Sequence, residues 1–394
     1  MSGLKNKKIN RAQLVELDKK SRKSRNTWVA NLLIILCIIL ALLACVGIAL
    51  NVVAGIYYDM LTDGFDGLDD LKFDLKDVDV KDSINNMDIY GVSSNASVAH
   101  VTSDGREDKT FSDIEEVIMA NYQEASKNIV SKRNIVNYVF IGKDAYKADD
   151  DKDVYADVIM IISYNTKINK VTYYTLDPNS LVYIPEIMDG EGKVAPLSNA
   201  YTWGKDGKLL CKTVQENFGI AINGYIDVDI DAASSAIDTL GGVTLSDVDV
   251  DELNEAIKNF NKDFGTDASL VSDNDGKVKL DGIQAAAYVR SAKSRLEAMK
   301  NIFKATLITA ADEGLLEVVD IIDQLAENIM IGSSYNDFSR VFRAGLVGVG
   351  LQSIEHNFVD GMADLPYSLV VGEKIYVNFH DNAAIRDSLK ETLY

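Results

Sequence analysis

Two aspartates stand beside consecutive apolar runs, at the positions where a sheet would present ligands. Asp144 closely follows the run 138–142, and Asp157 stands immediately before the run 158–162. Short apolar runs of this kind are typical of buried strands, and open α/β sheets bind ligands at strand ends. Two carboxylates, completed by phosphate oxygens and water, suit Mg²⁺. Because aspartate is also a common turn former, the pair alone leaves a purely structural role open.

An arginine at the end of an apolar stretch is a second candidate for chemistry, as a phosphate-binding group. Arg290 follows the stretch 284–289, and Arg295 comes five residues later. A guanidinium group in such a position can bind phosphate through two parallel hydrogen bonds. An ordinary surface or ion-paired arginine is the other interpretation of the same pattern.

Nucleophile and cofactor motifs do not stand out in the sequence. His100, His356 and His380 have no serine or cysteine partner in motif form. Cys211 lies beside two leucines in a helix-like stretch, which predicts a buried rather than a reactive thiol. The sequence contains no P-loop, GxGxxG turn or zinc-ligand spacing.

The charge of the 394-residue chain is divided between two opposed parts. The net charge is −20, but the first 25 residues carry nine Lys and Arg against Glu16 and Asp18, which leaves −27 for the rest. A chain this acidic would repel phosphate backbones, which excludes nucleic acid as a partner. Residues 26–58 contain no charged side chain, and they exceed the roughly 20 apolar residues that a bilayer core requires.

This pattern predicts a protein of the cell membrane with a single transmembrane helix over residues 26–58. The basic tail, residues 1–25, predicts a cytoplasmic N-terminus by the positive-inside rule, so that the remaining chain is extracellular. A cleaved signal peptide and a buried core helix are the alternatives, but both are normally shorter. Cys211 is the only thiol after residue 58, so the exported part has no internal disulfide. Such a composition suits the surface of a Gram-positive bacterium.

Strands that alternate with helices predict an α/β fold with a central sheet. The predicted strands are residues 138–142, 158–162, 171–176, 224–229 and 374–379. The predicted helices are residues 113–132, 205–218, 231–240 with Asp231 as N-cap, 281–310, 314–330, a stretch through Leu351, and a final helix from about Asn382. Residues 59–82 are rich in aspartate and carry apolar residues at spacings of three and four, which indicates an amphipathic helical stalk.

Six segments, taken in their order along the chain, resemble the LytR-CpsA-Psr (LCP) family. They are residues 137–144, 156–160, 197–201, 224–229, 238–244 and 280–290. The resemblance covers about half of the chain and implies an extracellular three-layer α/β/α domain with a central mixed sheet. The expected organisation is a basic cytoplasmic tail (1–25), a transmembrane helix (26–58), an acidic stalk or accessory region (59–132), the LCP-like domain (133–330) and a C-terminal extension packed on it (331–394).

The resemblance implies transfer of an anionic glycopolymer from a polyprenyl-pyrophosphate carrier to peptidoglycan, at the membrane. By the family pattern, Asp144 and Asp157 hold Mg²⁺ or position its waters, and both act in catalysis together with Arg290, which contacts the pyrophosphate. The residues expected to bind substrate are Lys143, Arg290, Arg295 and Asn199. The lipid tail is expected to occupy an apolar channel between sheet and helices.

The sequence departs from the family pattern around the basic groups. The family usually has Pro-Arg-Asp after the third strand, whereas Pro178 and Asn179 occupy the Arg and Asp positions. Proline cannot donate to phosphate, and asparagine cannot act as a carboxylate base. In the family, an arginine-rich segment follows the position of Arg290. In this chain at most Arg295 corresponds to one of those arginines, although Lys143 and Lys293 supply some positive charge. The alternative function is therefore a catalytically degenerate LCP protein that binds polyprenyl-linked glycan or scaffolds cell-wall enzymes.

Overall fold

The computed structural model describes most of the chain after residue 48. The described residues are 49–62, 99–100, 111–143, 154, 156–188, 191–204, 206–272, 275–291, 295–313, 329–350, 354–359, 367–371, 374–379 and 382–394. The chain divides into two units, residues 1–56 and residues 57–394. Most of the predicted transmembrane helix lies outside the described residues, and within them no helix has the length and apolar character needed to cross a bilayer.

Thirteen strands and ten helices are formed by the described residues. The strands are β1 (Ala99–His100), β2 (Ile135–Lys143), β3 (Ala156–Asn165), β4 (Lys170–Leu176), β5 (Leu181–Met188), β6 (Glu191–Pro196), β7 (Gly224–Asp229), β8 (Val243–Ser246), β9 (Lys277–Leu280), β10 (Ile329–Ser333), β11 (Glu355–Val359), β12 (Tyr367–Val371) and β13 (Lys374–Phe379). The helices are α1 (residues 49–61), α2 (Phe111–Ala125), α3 (Leu197–Gly204), α4 (Gly207–Phe218), α5 (Ile230–Thr239), α6 (Val250–Phe264), α7 (Gly282–Ser291), α8 (Arg295–Glu313), α9 (Tyr335–Gly350) and α10 (Asn382–Leu393).

A mixed six-stranded sheet forms the centre of the second unit, with the strand order β10-β7-β2-β3-β4-β11 among the described residues. Strand β2 pairs in parallel with β7 and antiparallel with β3, while the last pair, β4 with β11, is parallel. The predicted α/β fold with a central mixed sheet is therefore confirmed. Both edge strands come from residues beyond 328, so the C-terminal part of the chain completes the sheet.

The central strands are buried on both faces, which explains why they are continuous apolar runs rather than alternating ones. Along β2, seven of nine residues are buried. One face of the sheet shares a core with helices α3, α4 and α10, in which Trp203, Phe218 and Leu389 are almost fully buried. Helices α5, α7 and α8 cover the other face. A second core joins α6 and α7 to the small two-stranded sheet of β8 and β9.

The start of α5 differs from the prediction by two residues. The N-cap is Asp229, not Asp231, because Asp229 keeps an extended backbone and its Oδ1 accepts a hydrogen bond of 2.7 Å from the Ala232 N–H. An N-cap must stand outside the helical backbone, and Asp231 is already in the first turn. The predicted end at Gly241 and Gly242 agrees with their positive φ angles of 72° and 99°.

Two other predicted helices were partly wrong. Helix α2 ends at Ala125 instead of residue 132, because the Asn128 side chain caps the Glu124 carbonyl and Val130 forms a bridge with Ile220. The predicted helix 314–330 overlaps strand β10, whose residues from Ile329 onward pair antiparallel with β7. Residues 314–328 lie outside the described part of the chain, as do residues 63–82 of the predicted stalk.

The chain just after residue 56 is attached to strand β10 and helix α9. The Tyr58 hydroxyl donates a 3.1 Å hydrogen bond to the Ser333 carbonyl, and Thr62 forms a parallel bridge with Ile331. The rings of Tyr57 and Phe342 lie 5.0 Å apart. Residues 57–62 therefore pack on strand β10 and helix α9.

Candidate functional site

A cavity of about 230 Å³ lies between the central sheet and helices α5, α7 and α8. Its wall consists mostly of apolar side chains and small residues. The apolar lining includes Phe140, Val158, Met160, Ala232, Ala236, Ile237, Ala285, Ala286, Val289, Met299, Ile302, Phe303 and Ile329. The alanines of α5 and α7 matter here, because small side chains keep the two helices from filling the space beside the sheet.

Charged side chains at strand ends form the polar part of the same cavity, called the polar end below. Its residues are Lys143, which ends β2, Asp229, which ends β7, and Asp157, near the start of β3. Lys143 is the register partner of both Asp229 and Ala156. Because β2 pairs in parallel with β7 and antiparallel with β3, these three residues lie at the same end of the sheet. The cavity is therefore mostly apolar, with one cation and two carboxylates at this end.

The Lys143 ammonium is held at this end of the sheet by a buried carboxylate. Lys143 Nζ lies 3.2 Å from Asp227 Oδ1, and the exposed fractions of the two side chains are 23% and 3%. The other oxygen, Asp227 Oδ2, accepts a 2.6 Å hydrogen bond from the Tyr201 hydroxyl of α3. Burial and the neighbouring Asp227 carboxylate raise the pKa of Tyr201 far above its usual range, so this hydroxyl stays protonated and remains a donor.

The polar end offers carboxylates to a metal ion but no complete ligand cage. Within the described residues, no group of three His, Cys, Asp or Glu side chains could hold a metal. Asp157 and Asp229 nevertheless line the same cavity. Mg²⁺ is usually bound by one or two carboxylates together with substrate phosphates and water. The residues present therefore fit a magnesium ion that arrives with a phosphorylated substrate.

The structure brings some of the predicted site residues to the cavity and not others. Lys143 and Asp157 line it. Asp144 follows Lys143 in sequence but lies outside the described residues. Arg290 comes directly after the cavity residue Val289 on α7, and Arg295 begins α8; the side chains of both arginines lie outside the described part. Asn199 is buried in α3, on the opposite side of the sheet, and does not line the cavity.

Pro178 and Asn179 occupy a closed turn between β4 and β5. The Ser180 N–H donates to the Asp177 carbonyl at 3.0 Å, and the Asn179 N–H donates to Asp177 Oδ1 at 2.9 Å. The Pro178 carbonyl accepts from the Ser198 N–H at the start of α3. Proline suits the second position of such a turn. The two residues therefore serve the local backbone, and the Asn179 N–H is not available to an anion.

Asp227 and Asp229 are the functional candidates that sequence reasoning missed. Both belong to the segment 224–229, whose strand was predicted with the correct bounds. The reasoning about strand ends that selected Asp144 and Asp157 applies equally to an aspartate at the end of β7. The ion pair with Lys143 was not predictable, because it depends on the pairing of β2 with β7.

Comparison with known proteins gives a consistent result. Residues 91–379 match the model of the LytR_cpsA_psr family. The polyisoprenyl-teichoic acid–peptidoglycan teichoic acid transferase TagU of Oceanobacillus iheyensis is 24% identical over 220 residues, which are 52% of this chain and 62% of that protein. The protein of the same name from Enterococcus faecalis is 25% identical over 187 residues, 46% of this chain and 55% of that protein. The chain thus spans less than two thirds of the length of these curated relatives.

Among solved structures, protein gbs0355 from Streptococcus agalactiae is similar in fold. It superimposes with a TM-score of 0.51 at 17% sequence identity, covering 66% of this chain and 88% of that chain. The agreement extends the fold assignment to an experimentally determined structure. Since the family match runs from the described β1 strand to the end of β13 and includes every residue of the cavity, this chain belongs to the LytR_cpsA_psr family.

Proposed function

We propose that the protein transfers an anionic glycopolymer, of the teichoic acid kind, from a polyprenyl-pyrophosphate carrier to peptidoglycan. The observation that carries the proposal is the apolar cavity whose polar end combines Lys143, Asp157 and Asp229. Family membership and the printed activity of the TagU relatives support the same reaction class. The anion of a pyrophosphate would lie at the polar end, and the apolar wall would bind the prenyl chain.

The apolar wall supplies binding free energy in proportion to the hydrocarbon that it covers. Each buried methylene group contributes about 0.8 kcal/mol, so even one prenyl unit adds measurable affinity. A cavity of about 230 Å³ holds only part of a long carrier lipid. Binding at the pyrophosphate-proximal end of the chain is therefore expected, with the remainder of the lipid outside the cavity.

Magnesium is the cofactor that the polar end would accept. Asp157, with Asp144 directly after the Lys143 position, would hold the ion or position its waters, and Asp229 lines the same cavity. When bound, the ion would offset negative charge on the pyrophosphate oxygens. Arg290, on the cavity helix α7, would contact the pyrophosphate, and Lys143 would contribute a second cation. Arg295, at the start of α8, is proposed to act on a more distant part of the substrate.

We also propose that the protein is located in the cell membrane. The uncharged stretch 26–58 would anchor the protein once in the cell membrane, with the basic residues 1–25 in the cytoplasm and the three-layer domain outside the cell. A carrier lipid would then reach the cavity from the outer leaflet. The acceptor, peptidoglycan, lies on the same side in a Gram-positive bacterium.

A second candidate function is binding of the carrier-linked glycan without chemistry. The turn at Pro178 and Asn179 favours it, because neither side chain can replace the arginine and aspartate of the family pattern. One lost charge-stabilising donor can lower a rate by about 10²- to 10³-fold. The two functions share the cavity and differ only in turnover.

The deciding experiment measures transfer of glycan from a synthetic polyprenyl-pyrophosphate donor to peptidoglycan oligomers, with the full-length chain in detergent. Turnover with Mg²⁺ and its loss in EDTA are expected. Asp157→Asn and Asp144→Ala should each lower the rate roughly 10- to 100-fold, as for groups that orient a catalytic metal. The exposed Asp263→Asn on α6 is the matched control. Donor binding without release of polyprenyl phosphate would support the second candidate, and absence of donor binding would contradict both.

A further inference from the structure

Asp227 is a carboxylate that its surroundings must neutralise. Its side chain is 3% exposed, and its Oδ1 atom has no hydrogen-bond partner among the described residues. An ionised carboxylate in such a position costs several kcal/mol unless it is paired. The Lys143 ammonium at 3.2 Å compensates Oδ1, and the Tyr201 hydroxyl at 2.6 Å compensates Oδ2. The three residues therefore form one charge-balanced unit.

This unit joins the two faces of the sheet at the polar end. Tyr201 comes from α3 in the core on the side away from the cavity, Asp227 from the body of β7, and Lys143 from the last position of β2. The register pairs Asp227 with Ile141, two residues before Lys143. The Lys143 side chain must therefore reach back along the sheet to meet Asp227, which fixes the path of a long and otherwise flexible side chain.

The fixed lysine is still able to bind a ligand. Its side chain is 23% exposed, and Lys143 is one of the residues that line the cavity, as are Asp157 and Asp229. An ammonium group has three N–H donors, and the ion pair with Asp227 engages one side of it. Without Asp227, the ammonium would face two carboxylates at the polar end and could turn toward them or out to solvent.

We propose that Asp227 and Tyr201 are positioning residues that hold Lys143 at the polar end as a cation for the diphosphate of the carrier lipid. The inference rests on the proposed function. Tyr201 fixes Asp227, Asp227 fixes the Lys143 ammonium, and the ammonium contacts the diphosphate. No residue of this unit other than Lys143 touches the ligand.

The direction in which Asp227→Asn changes the affinity for an anion distinguishes a positioning role from a purely electrostatic one. Asp227 is negative, so its replacement by asparagine should strengthen binding of an anion if Asp227 acts only as a nearby charge. A positioning role predicts the opposite result, because the lysine loses its fixed place. The effect of Asp227→Asn on diphosphate affinity therefore separates the two roles.

The test measures binding of farnesyl diphosphate and of farnesol to the full-length chain in detergent with Mg²⁺, by calorimetry. Lys143→Met should weaken diphosphate binding about tenfold or more, as expected for a charge-assisted contact, and should leave farnesol binding unchanged within about twofold. Asp227→Asn and Tyr201→Phe should weaken diphosphate binding in the same direction, the second to a smaller degree. Lys143→Arg should restore most of the affinity.

A double-mutant cycle completes the test. Adding Asp227→Asn to Lys143→Met should have no further effect, because the lysine is the only route by which Asp227 acts. The matched control is the Lys170–Glu355 pair, 2.9 Å apart at the other end of the sheet, where Lys170→Met should not change binding. Melting temperatures identify any variant that does not fold. Because Lys143→Met leaves the buried Asp227 unpaired, the double variant Lys143→Met with Asp227→Asn replaces it where the single variant is unstable, and Tyr201→Phe tests the positioning role.

Either kind of failure is recognisable. Diphosphate binding that is unchanged in Lys143→Met, or tighter in Asp227→Asn, would overturn the inference and leave the proposed function standing. A wild-type protein that binds neither farnesyl diphosphate nor longer prenyl diphosphates would overturn the proposed function, and this inference with it.

Discussion

Gly142 of β2 and Val158 of β3 are register partners at the cavity wall, and a Cβ atom added to Gly142 would lie 3.0 Å from the Val158 Cβ. The same added atom would lie 3.4 Å from the Met299 Cε on α8. The absence of a side chain at Gly142 therefore helps to keep the sheet and α8 apart. A residue that sequence reasoning treats as part of a strand thus shapes the candidate binding site.

Gly142→Ala should weaken binding of a prenyl diphosphate several-fold, because the new methyl group displaces Val158 or Met299 into the cavity. Overpacking of this kind costs typically about 1–3 kcal/mol, so a lower melting temperature is also expected. Calorimetric titration with farnesyl diphosphate checks the first effect. Gly345→Ala on α9 is the control, since nothing lies within 4 Å of an added Cβ there. Equal affinities of the two variants would contradict the assignment of this cavity.

The double substitution Pro178→Arg with Asn179→Asp should raise the rate of glycan transfer. It restores the cation and carboxylate expected from the family resemblance, and a charge-stabilising donor is worth up to about 10²- to 10³-fold in rate. The turn should tolerate the change, because its hydrogen bonds to Asp177 use the backbone N–H groups of Asn179 and Ser180. Initial rates at saturating Mg²⁺ provide the measurement, with Pro178→Ala as control. An unchanged rate would argue that the turn has no catalytic part in this protein.

His356 should make the protein less stable in mild acid. Burial lowers its pKa below the usual 6.5, while its Nδ1 lies 2.9 Å from the Tyr173 hydroxyl. The unfolded chain binds a proton near pH 6.5 and the folded chain only at lower pH, so this contribution to the free energy of unfolding falls as pH drops from 6.5 through the lowered pKa. His356→Phe keeps an aromatic ring against Tyr173 and cannot titrate. Urea titrations at pH 7.5 and 5.5 should show a smaller pH effect in the variant; an equal effect in both proteins would contradict the prediction.

Cys211 should resist alkylation in the folded protein. Its thiol is fully buried, and burial raises its pKa well above the usual value of 9.0, so little thiolate forms at pH 8. In a protein with Cys37→Ser and Cys45→Ser, a maleimide should react only in denaturant, whereas a cysteine at the exposed position of Lys258→Cys should react at once. Rapid labelling of Cys211 in the absence of denaturant would contradict the prediction, because it would show that the core around α4 opens.

Local pattern was sufficient for the inner strands β2, β3, β4 and β7 of the central sheet and insufficient for its two edge strands. The inner strand 224–229, and the strand 374–379 of a separate sheet, were predicted with the bounds observed, because apolar and β-branched runs between turn signals are a local property. That β10 and β11 close the two edges of the sheet depends on pairings over long sequence separations. Ile329 and Met330 were assigned to the helix 314–330 but begin strand β10, because pairing with β7 overrides their local preference.

Part of the candidate site was also predictable from the sequence. Asp157 was selected from its position at a strand end and Lys143 as a source of positive charge, and the cavity lining includes both. Asn199 was expected to bind substrate but lies away from the cavity, since family resemblance gives no position in space. The Asp227–Tyr201 pair needs α3 to pack against the end of β7, a relationship that no spacing in the sequence records.

The attachment of Tyr58 and Thr62 to strand β10 has a mechanical consequence. Ser333 and Ile331, the partners of these residues, belong to the same five-residue strand as Ile329, which lines the cavity. A force applied along the chain before Tyr58 would therefore load an edge strand of the sheet and the cavity wall together. Strain transmitted through Tyr58 and Thr62 would thus reach Ile329 and the cavity wall through a single strand.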